Sequence, residues 1–149
     1  MKARDIMTSP AYTIRDRSTV GEAARIMAER GIGTLPVVDD DSKIVGILSH
    51  TDFFLSPVRY PGAGGHLFDL LGTYVNPDTI EEVSKSVGDR PVKEAMKAPV
   101  VTIEGDVEVT EVAKKMLRAS LNRIPVVDNG RVIGVVARHD FVKLIDRDR

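Results

Sequence analysis

The chain has 149 residues, 42% of them hydrophobic, with 21 Lys plus Arg against 22 Asp plus Glu and no cysteine. Near-neutral charge supplies no long-range field for nucleic acid or an anionic membrane, and the absence of cysteine excludes disulfides, thiolate nucleophiles and Cys-ligated zinc. No apolar run approaches the roughly 18 residues that a membrane span needs, and Met1-Lys2-Ala3-Arg4-Asp5 leads into no apolar signal core, so a soluble cytoplasmic protein is expected.

Taken in order, Arg4-Asp5-Ile6-Met7 reads as a short helical turn, and Ser9-Pro10 leads into an extended Ala11-Tyr12-Thr13-Ile14. Ser18 or Thr19 caps the next helix, because a hydroxyl can accept from the free N–H groups of a first turn, and Glu22 stands where a capping box places it relative to Thr19. Val20, Ala23, Ala24, Met27 and Ala28 fall at helical spacing opposite Arg25, Glu29 and Arg30, and Gly31 stops the helix. Two β-branched runs, Leu35-Pro36-Val37-Val38 and Ile44-Val45-Gly46-Ile47-Leu48, flank a polar turn and predict a hairpin. A short helix is expected from Asp52, ended by Pro57.

Residues 57–90 read as an insert. Ser56 through Gly65 is loop by composition; Leu67, Phe68, Leu70, Leu71 and Tyr74 make a short amphipathic segment. Asn76-Pro77-Asp78 starts a helix that carries Ile80, Val83 and Val87 on one face. The insert is either a linker packing back on the rest or a regulatory surface.

The remainder repeats the opening. Val92 to Met96 is a helical turn, and Val100-Val101-Thr102-Ile103 is extended. A helix from about Val107 to Ala119 presents Val109, Val112, Ala113, Met116 and Leu117. The runs Ile124-Pro125-Val126-Val127 and Val132-Ile133-Gly134-Val135-Val136 form a hairpin, and a last helix from Asp140 turns Phe141, Leu144 and Ile145 inward. Met7, Pro10, Thr13, Ile14, Val20, Glu22, Ala24, Met27 and Pro36 recur at one constant offset as Met96, Pro99, Thr102, Ile103, Val109, Glu111, Ala113, Met116 and Pro125. Two copies at this long spacing make a domain pair rather than a solenoid. The expected organisation is repeat 1 over 1–56, the insert over 57–90 and repeat 2 over 91–149, with Met27 and Met116 in the core.

The ordered set Asp5-Ile6-Met7, Pro10, Thr13-Ile14, helix, Leu35-Pro36-Val37-Val38-Asp39, Val45-Gly46-Ile47 and Thr51-Asp52, present twice, resembles a tandem pair of CBS domains, the Bateman module. The resemblance covers nearly all the chain outside residues 54–91. It implies a mixed α+β fold of two β-α-β-β-α repeats packed with pseudo-twofold symmetry, plus the helical insert. It also implies clefts between the repeats for an adenine nucleotide or another adenosyl ligand: AMP, ADP, ATP, S-adenosylmethionine or NAD.

Asp52 and Asp140 match the family's ribose-binding aspartate, since one carboxylate can accept from both hydroxyls of a ribose; a plain helix cap is the other reading of each. The resemblance places adenine near Met7, Thr8 and Ala11 with Ile32, Gly33 and Thr34, and near Met96, Lys97 and Val100 with Leu121, Asn122 and Arg123. Arg123 leads the phosphate candidates, followed by Ser49, Thr51, Lys97 and His139; its other reading is a surface salt bridge. Ala137 departs from the hydroxyl that Ser49 supplies at the corresponding place, so the two clefts are expected to bind unequally, one combining Asp140, His139 and Arg123 with Ile32, Gly33 and Thr34.

No catalytic constellation is expected. Ser49, His50 and Asp52 radiate from one turn, His50, His66 and His139 lack metal-ligand spacing, and Gly62-Ala63-Gly64-Gly65-His66 lacks the ending of a phosphate loop. The resulting expectation is a non-enzymatic regulatory module, an energy or metabolite sensor, homodimeric and with a possible regulated protein partner but no catalytic cofactor. The alternative is a structural or interaction module with empty clefts.

Overall fold

The computed structural model describes residues 1–53, 68–70, 73–75 and 80–148. Helix α1 (Ala3–Ile6) is followed by strand β1 (Ile14–Arg15), helix α2 (Val20–Arg30), strands β2 (Thr34–Val38) and β3 (Ile44–Ser49), and a 3-10 turn at His50–Asp52. After strands β4 (Phe68–Leu70) and β5 (Thr73–Val75) and helix α3 (Ile80–Gly88), the plan returns as α4 (Val92–Ala95), β6 (Ile103–Glu104), α5 (Val109–Arg118), β7 (Arg123–Asp128) and β8 (Arg131–Ala137). It closes with 3-10 turns over Arg138–Asp148. The sheets run β1-β2-β3 and β6-β7-β8, so each repeat is the expected β-α-β-β unit followed by a helical turn.

Local signals explain most of these elements. Thr19 caps α2, its Oγ1 accepting from Glu22 N at 3.2 Å, and Gly31 closes it in the left-handed region at φ 64°. β1 lies parallel to β2 with Ile14 opposite Val37, and β6 lies parallel to β7 with Ile103 opposite Val126. Those strands are shorter than the extended stretches of the sequence and start later. Pro57, the loop through Gly65 and the Asn76-Pro77-Asp78 helix start lie outside the described residues. Within the insert, Phe68–Leu70 pairs antiparallel with Thr73–Val75 where the sequence suggested an amphipathic segment; aromatic and β-branched residues there favour a ladder.

The chain forms two compact units, and neither is a contiguous stretch of sequence. One contains Met1–Tyr12, Asp41–Ile44 and Val100–Arg149; the other contains Thr13–Asp40 and Val45–Pro99. We call them the Asp140 unit and the Asp52 unit. The core of the Asp52 unit gathers Ile14, Val20, Met27, Leu35, Val37, Leu48, Phe53 and Val87, and it takes Val92 from α4. The core of the Asp140 unit gathers Ile103, Val109, Val112, Met116, Ile124, Val126 and Val136, and it takes Ala3 and Ile6 from α1. Each three-stranded sheet is therefore completed by the helical turn that precedes the other repeat in sequence. Burying a side chain of the size of Ile6 or Val92 is worth about 1.5–3 kcal/mol, which helps to hold the exchanged turns in place.

Two expected core faces differ. Leu117 is 71% exposed on α5 and Ile145 is 82% exposed, whereas Phe141 and Leu144 pack against the core as expected. The last segment winds as 3-10 turns, in which residues three apart eclipse. Phe141 and Leu144 therefore share a face, and Ile145 rotates away from it.

Candidate functional site

Strand β3 ends in a 3-10 turn that folds the Asp52 carboxylate back over the chain. Oδ2 accepts from Ser49 N at 2.9 Å, and the side chain is only 4% exposed. Ser49 Oγ accepts from Thr51 Oγ1 at 3.0 Å and from Thr51 N at 3.4 Å. The other repeat reproduces the turn: Asp140 Oδ2 accepts from Ala137 N at 2.8 Å, and Asp140 is 2% exposed. Neither arrangement is the N-cap of the plain reading: Ser49 is the N-cap of the first turn, and each aspartate reaches back to the residue three before it, as the closing partner of a capping box does. That duty uses one oxygen of each.

The second oxygen is where the turns diverge. Asp52 Oδ1 lies 3.3 Å from Lys97 Nζ, on the segment just after α4. Asp140 Oδ1 lies 3.0 Å from Lys143 Nζ on its own turn, with His139 Nε2 at 3.7 Å. Lys143 Nζ also donates to the Ile6 carbonyl at 2.7 Å. Buried carboxylates need such counter-ions, because an unpaired buried charge is costly.

The flanking backbone follows the exchange of segments. Lys97 and Ile47 exchange backbone hydrogen bonds of 2.9 and 3.0 Å, so Met96 and Lys97 lie along β3 beside Asp52. Thr8 and Val135 exchange bonds of 2.9 and 3.1 Å, which sets Met7 and Thr8 along β8 beside Asp140. Glycine is required where these segments cross. A Cβ on Gly46 would overlap Met96 Sδ and meet Lys97 O at 3.2 Å; one on Gly134 would meet Met7 Sδ at 2.5 Å and Thr8 O at 2.9 Å.

Met7, Thr8 and Ala11 share a unit with Val100, Leu121, Asn122, Arg123, Ala137, His139 and Asp140. Met96 and Lys97 share a unit with Ile32, Gly33, Thr34, Ser49, Thr51 and Asp52. The strand-entry residues meet the turns in both units. His50 N donates to Gly33 O at 2.9 Å, with the His50 ring Nδ1 3.1 Å from the same oxygen; Arg138 donates through N to Asn122 O at 3.1 Å and through Nε to Leu121 O at 3.0 Å.

Arg123 is exposed at the start of β7, and among the described residues its guanidinium forms no ion pair. His139 is 79% exposed. Lys143, which the sequence reading missed, is the cation nearest Asp140; its i,i+3 spacing from Asp140 was the signal available. Among the described residues no hydrogen bond joins the His50 ring to Ser49 or Asp52, and no cluster of three or more His, Asp or Glu could hold a metal ion.

An apolar cavity of about 630 Å³ lies between α2 and α3 in the Asp52 unit. Ala24, Met27, Ile32, Gly33, His50 and Phe53 are among its walls, so it reaches the turn that carries Asp52. Among the described residues no helix is long and apolar enough to cross a membrane.

The family model of the CBS domain matches this chain twice, over residues 3–57 and 92–147. The CBS domain of a CBS-domain-containing membrane protein from Sphaerobacter thermophilus superposes with a TM-score of 0.75 at 29% identity, covering 97% of this chain and 87% of that one. The CBS domain pair of protein MJ0100, solved in complex with 5'-methylthioadenosine and S-adenosyl-L-methionine, superposes at 0.70 with 25% identity over 100% of this chain and 98% of its own. The A-adding tRNA nucleotidyltransferase of Aquifex aeolicus is 26% identical over 99% of this chain, which spans only 15% of that protein. Among the first curated relatives the chain spans less than two thirds of the full length, from 15% to 40% in the first four. The chain belongs to the CBS-domain family.

Proposed function

We propose that this CBS-domain pair is a regulatory module that binds an adenosyl ligand at the Asp52 and Asp140 turns. The observation that carries the reading is the duplicated carboxylate. Each is almost fully buried, each spends one oxygen on its own turn, and each leaves the other oxygen facing a lysine ammonium. That oxygen can accept from the vicinal hydroxyls of a ribose. Ile32 and Gly33, on the wall of the apolar cavity, suit the face of an adenine, and the cavity's volume is within the range of small-molecule sites. The complex formed by the MJ0100 pair supports this ligand class. An energy or metabolite sensor is the role we assign, with AMP, ADP, ATP, S-adenosylmethionine and NAD as the candidates.

Thermal unfolding and calorimetry over that panel test the reading. A ligand at a hundredfold excess over its dissociation constant should stabilise the protein by about 2.7 kcal/mol. A flat response from every ligand at millimolar concentration would leave an interaction module as the better reading.

We further propose that the pair works as a homodimer. Leu117, Val142 and Ile145 are 71%, 61% and 82% exposed in the Asp140 unit, and apolar side chains of this size are suited to an isologous contact. Light scattering should report twice the chain mass, and Leu117→Glu with Ile145→Glu should halve it. A monomer at every concentration, with and without ligand, would contradict the assembly.

A further inference from the structure

The two lysines that neutralise the buried carboxylates do not come from corresponding places in the repeats. Lys97 follows α4, and its counterpart by sequence is Thr8; Lys143 stands three residues after Asp140, and its counterpart is Leu55. The repeats thus share the carboxylate and its turn but draw the cation from different places. A cation needed only to neutralise a buried aspartate could come from anywhere. What it does when a ligand takes the same oxygen depends on how it is held.

The anchoring differs in the way that matters. Lys143 is pinned at two points, Asp140 Oδ1 at 3.0 Å and the Ile6 carbonyl at 2.7 Å, and its stem belongs to the same turn as the aspartate. Among the described residues the Lys97 ammonium holds Asp52 alone, at 3.3 Å, with a side chain that is 66% exposed. Its backbone is fixed by the paired bonds to Ile47, so only the four-carbon stem and the ammonium can move. A lysine of this kind is a compact charge on a flexible arm.

A ribose that donates to Asp52 Oδ1 occupies the position that Lys97 Nζ satisfies in the free protein. If the ligand is uncharged, the displaced ammonium returns to water. If it carries a 5'-phosphate, the ammonium gains a new anion at the same mouth. We propose that Lys97 is a releasable counter-ion that makes the Asp52 site selective for phosphorylated adenosyl ligands, whereas the doubly anchored Lys143 stays in place and gives the Asp140 site no such preference. The assignment rests on the adenosyl reading above and adds to it a charge selectivity that differs between the two sites.

Calorimetric titrations with AMP and adenosine test it, using the parent chain, Lys97→Met, Lys97→Arg and Lys143→Met, with Asp52→Ala to identify the phase that belongs to the Asp52 site. Loss of one charge-assisted hydrogen bond should weaken AMP in that phase by about tenfold to a hundredfold in Lys97→Met, while adenosine stays within about twofold or tightens. Lys97→Arg should restore most of the AMP affinity. Lys143→Met should move both ligands together in the Asp140 phase. If Lys97→Met weakens adenosine as much as AMP, the lysine is only part of the site's framework, and if it weakens neither, it is a surface cation; either result overturns the selectivity. A parent chain that binds neither ligand removes the adenosyl reading itself and the Lys97 assignment with it, a result distinct from binding that ignores the Lys97 substitution.

Discussion

The Asp52 and Asp140 units present the same backbone feature with different side-chain surroundings. In both, a carboxylate folds back to accept a backbone N–H from three residues earlier, and in both a borrowed segment runs along the last strand of the sheet. The counter-ion, the hydroxyl at Ser49 against the methyl of Ala137, and the second anchor of the lysine all differ. Backbone geometry set by turns, glycines and strand pairing is shared because a change in any one would unseat the others. Side chains around a mouth open to water are constrained only by what they must recognise. The differences at the turns therefore fall where the proposed ligand would be read, while the backbone that holds the two carboxylates is shared.

The largest expected effect tests the shared part. Gly46 and Gly134 are corresponding residues, each crossed by a methionine and the next residue's carbonyl from the borrowed segment. The methionines are flexible and can yield, but the carbonyls of Lys97 and Thr8 are fixed by hydrogen bonds to Ile47 and Val135. Alanine at either position should destabilise by about 1–3 kcal/mol, as overpacking does. Gly134→Ala should cost more, because Thr8 O lies 2.9 Å from the added carbon while Lys97 O lies 3.2 Å away. Urea midpoints at an unchanged slope would measure both. Equal midpoints for the two variants, or the reverse order, would break the correspondence between the crossings.

Much of this arrangement was legible in the residues themselves. The hairpins, the Thr19 cap, the left-handed Gly31 and the membership of Met27 and Met116 in the cores follow from short-range rules that a duplicated sequence states twice. The two aspartates were legible as a repeated pair, but their place in the turn was not: each accepts from the residue three before it rather than opening a helix. The exchange of α1 and α4 was not, because the bridges Thr8 to Val135 and Ile47 to Lys97 are single pairings with no periodicity of their own. Without that exchange, nothing in the sequence set Lys97 beside Asp52, and Lys143 was one more charge in a charged tail. The exposure of Ile145 was hidden for another reason: a 3.6-residue period and a 3-10 period agree on Phe141 and Leu144 and part company one residue later.

The smallest expected effect concerns the entry to the paired helices, where the units solve one problem differently. Thr19 opposes Pro91 at the start of α2 and caps it with a hydroxyl; at the start of α5, Glu108 opposes Lys2 and makes no side-chain cap bond to the helix. Instead Lys2 Nζ donates to Glu108 Oε1 at 2.5 Å. That hydrogen bond, aided by the charge of the ammonium, holds the Glu108 carboxyl below the ordinary carboxylate range and raises Lys2 above the ordinary lysine value. The signs follow from which state binds the proton more readily. A depressed carboxyl stabilises the fold above its unfolded-state pKa, and that contribution is lost as pH falls through the folded value. A raised lysine stabilises below its unfolded-state pKa, and its contribution is lost as pH rises through the folded value. Both groups are exposed, so screening keeps the gain slight. Lys2→Ala should raise Glu108 toward the ordinary carboxylate range in an NMR titration, with the Met1 ammonium 3.7 Å away retaining part of the depression, and should flatten a shallow acid-side slope in unfolding stability, whereas Thr19→Ala should lower stability evenly across the same pH range. If Glu108 titrates unchanged after Lys2→Ala, the helix entry of the Asp140 unit does not rest on this pair, and the contrast with the Thr19 cap loses its electrostatic half.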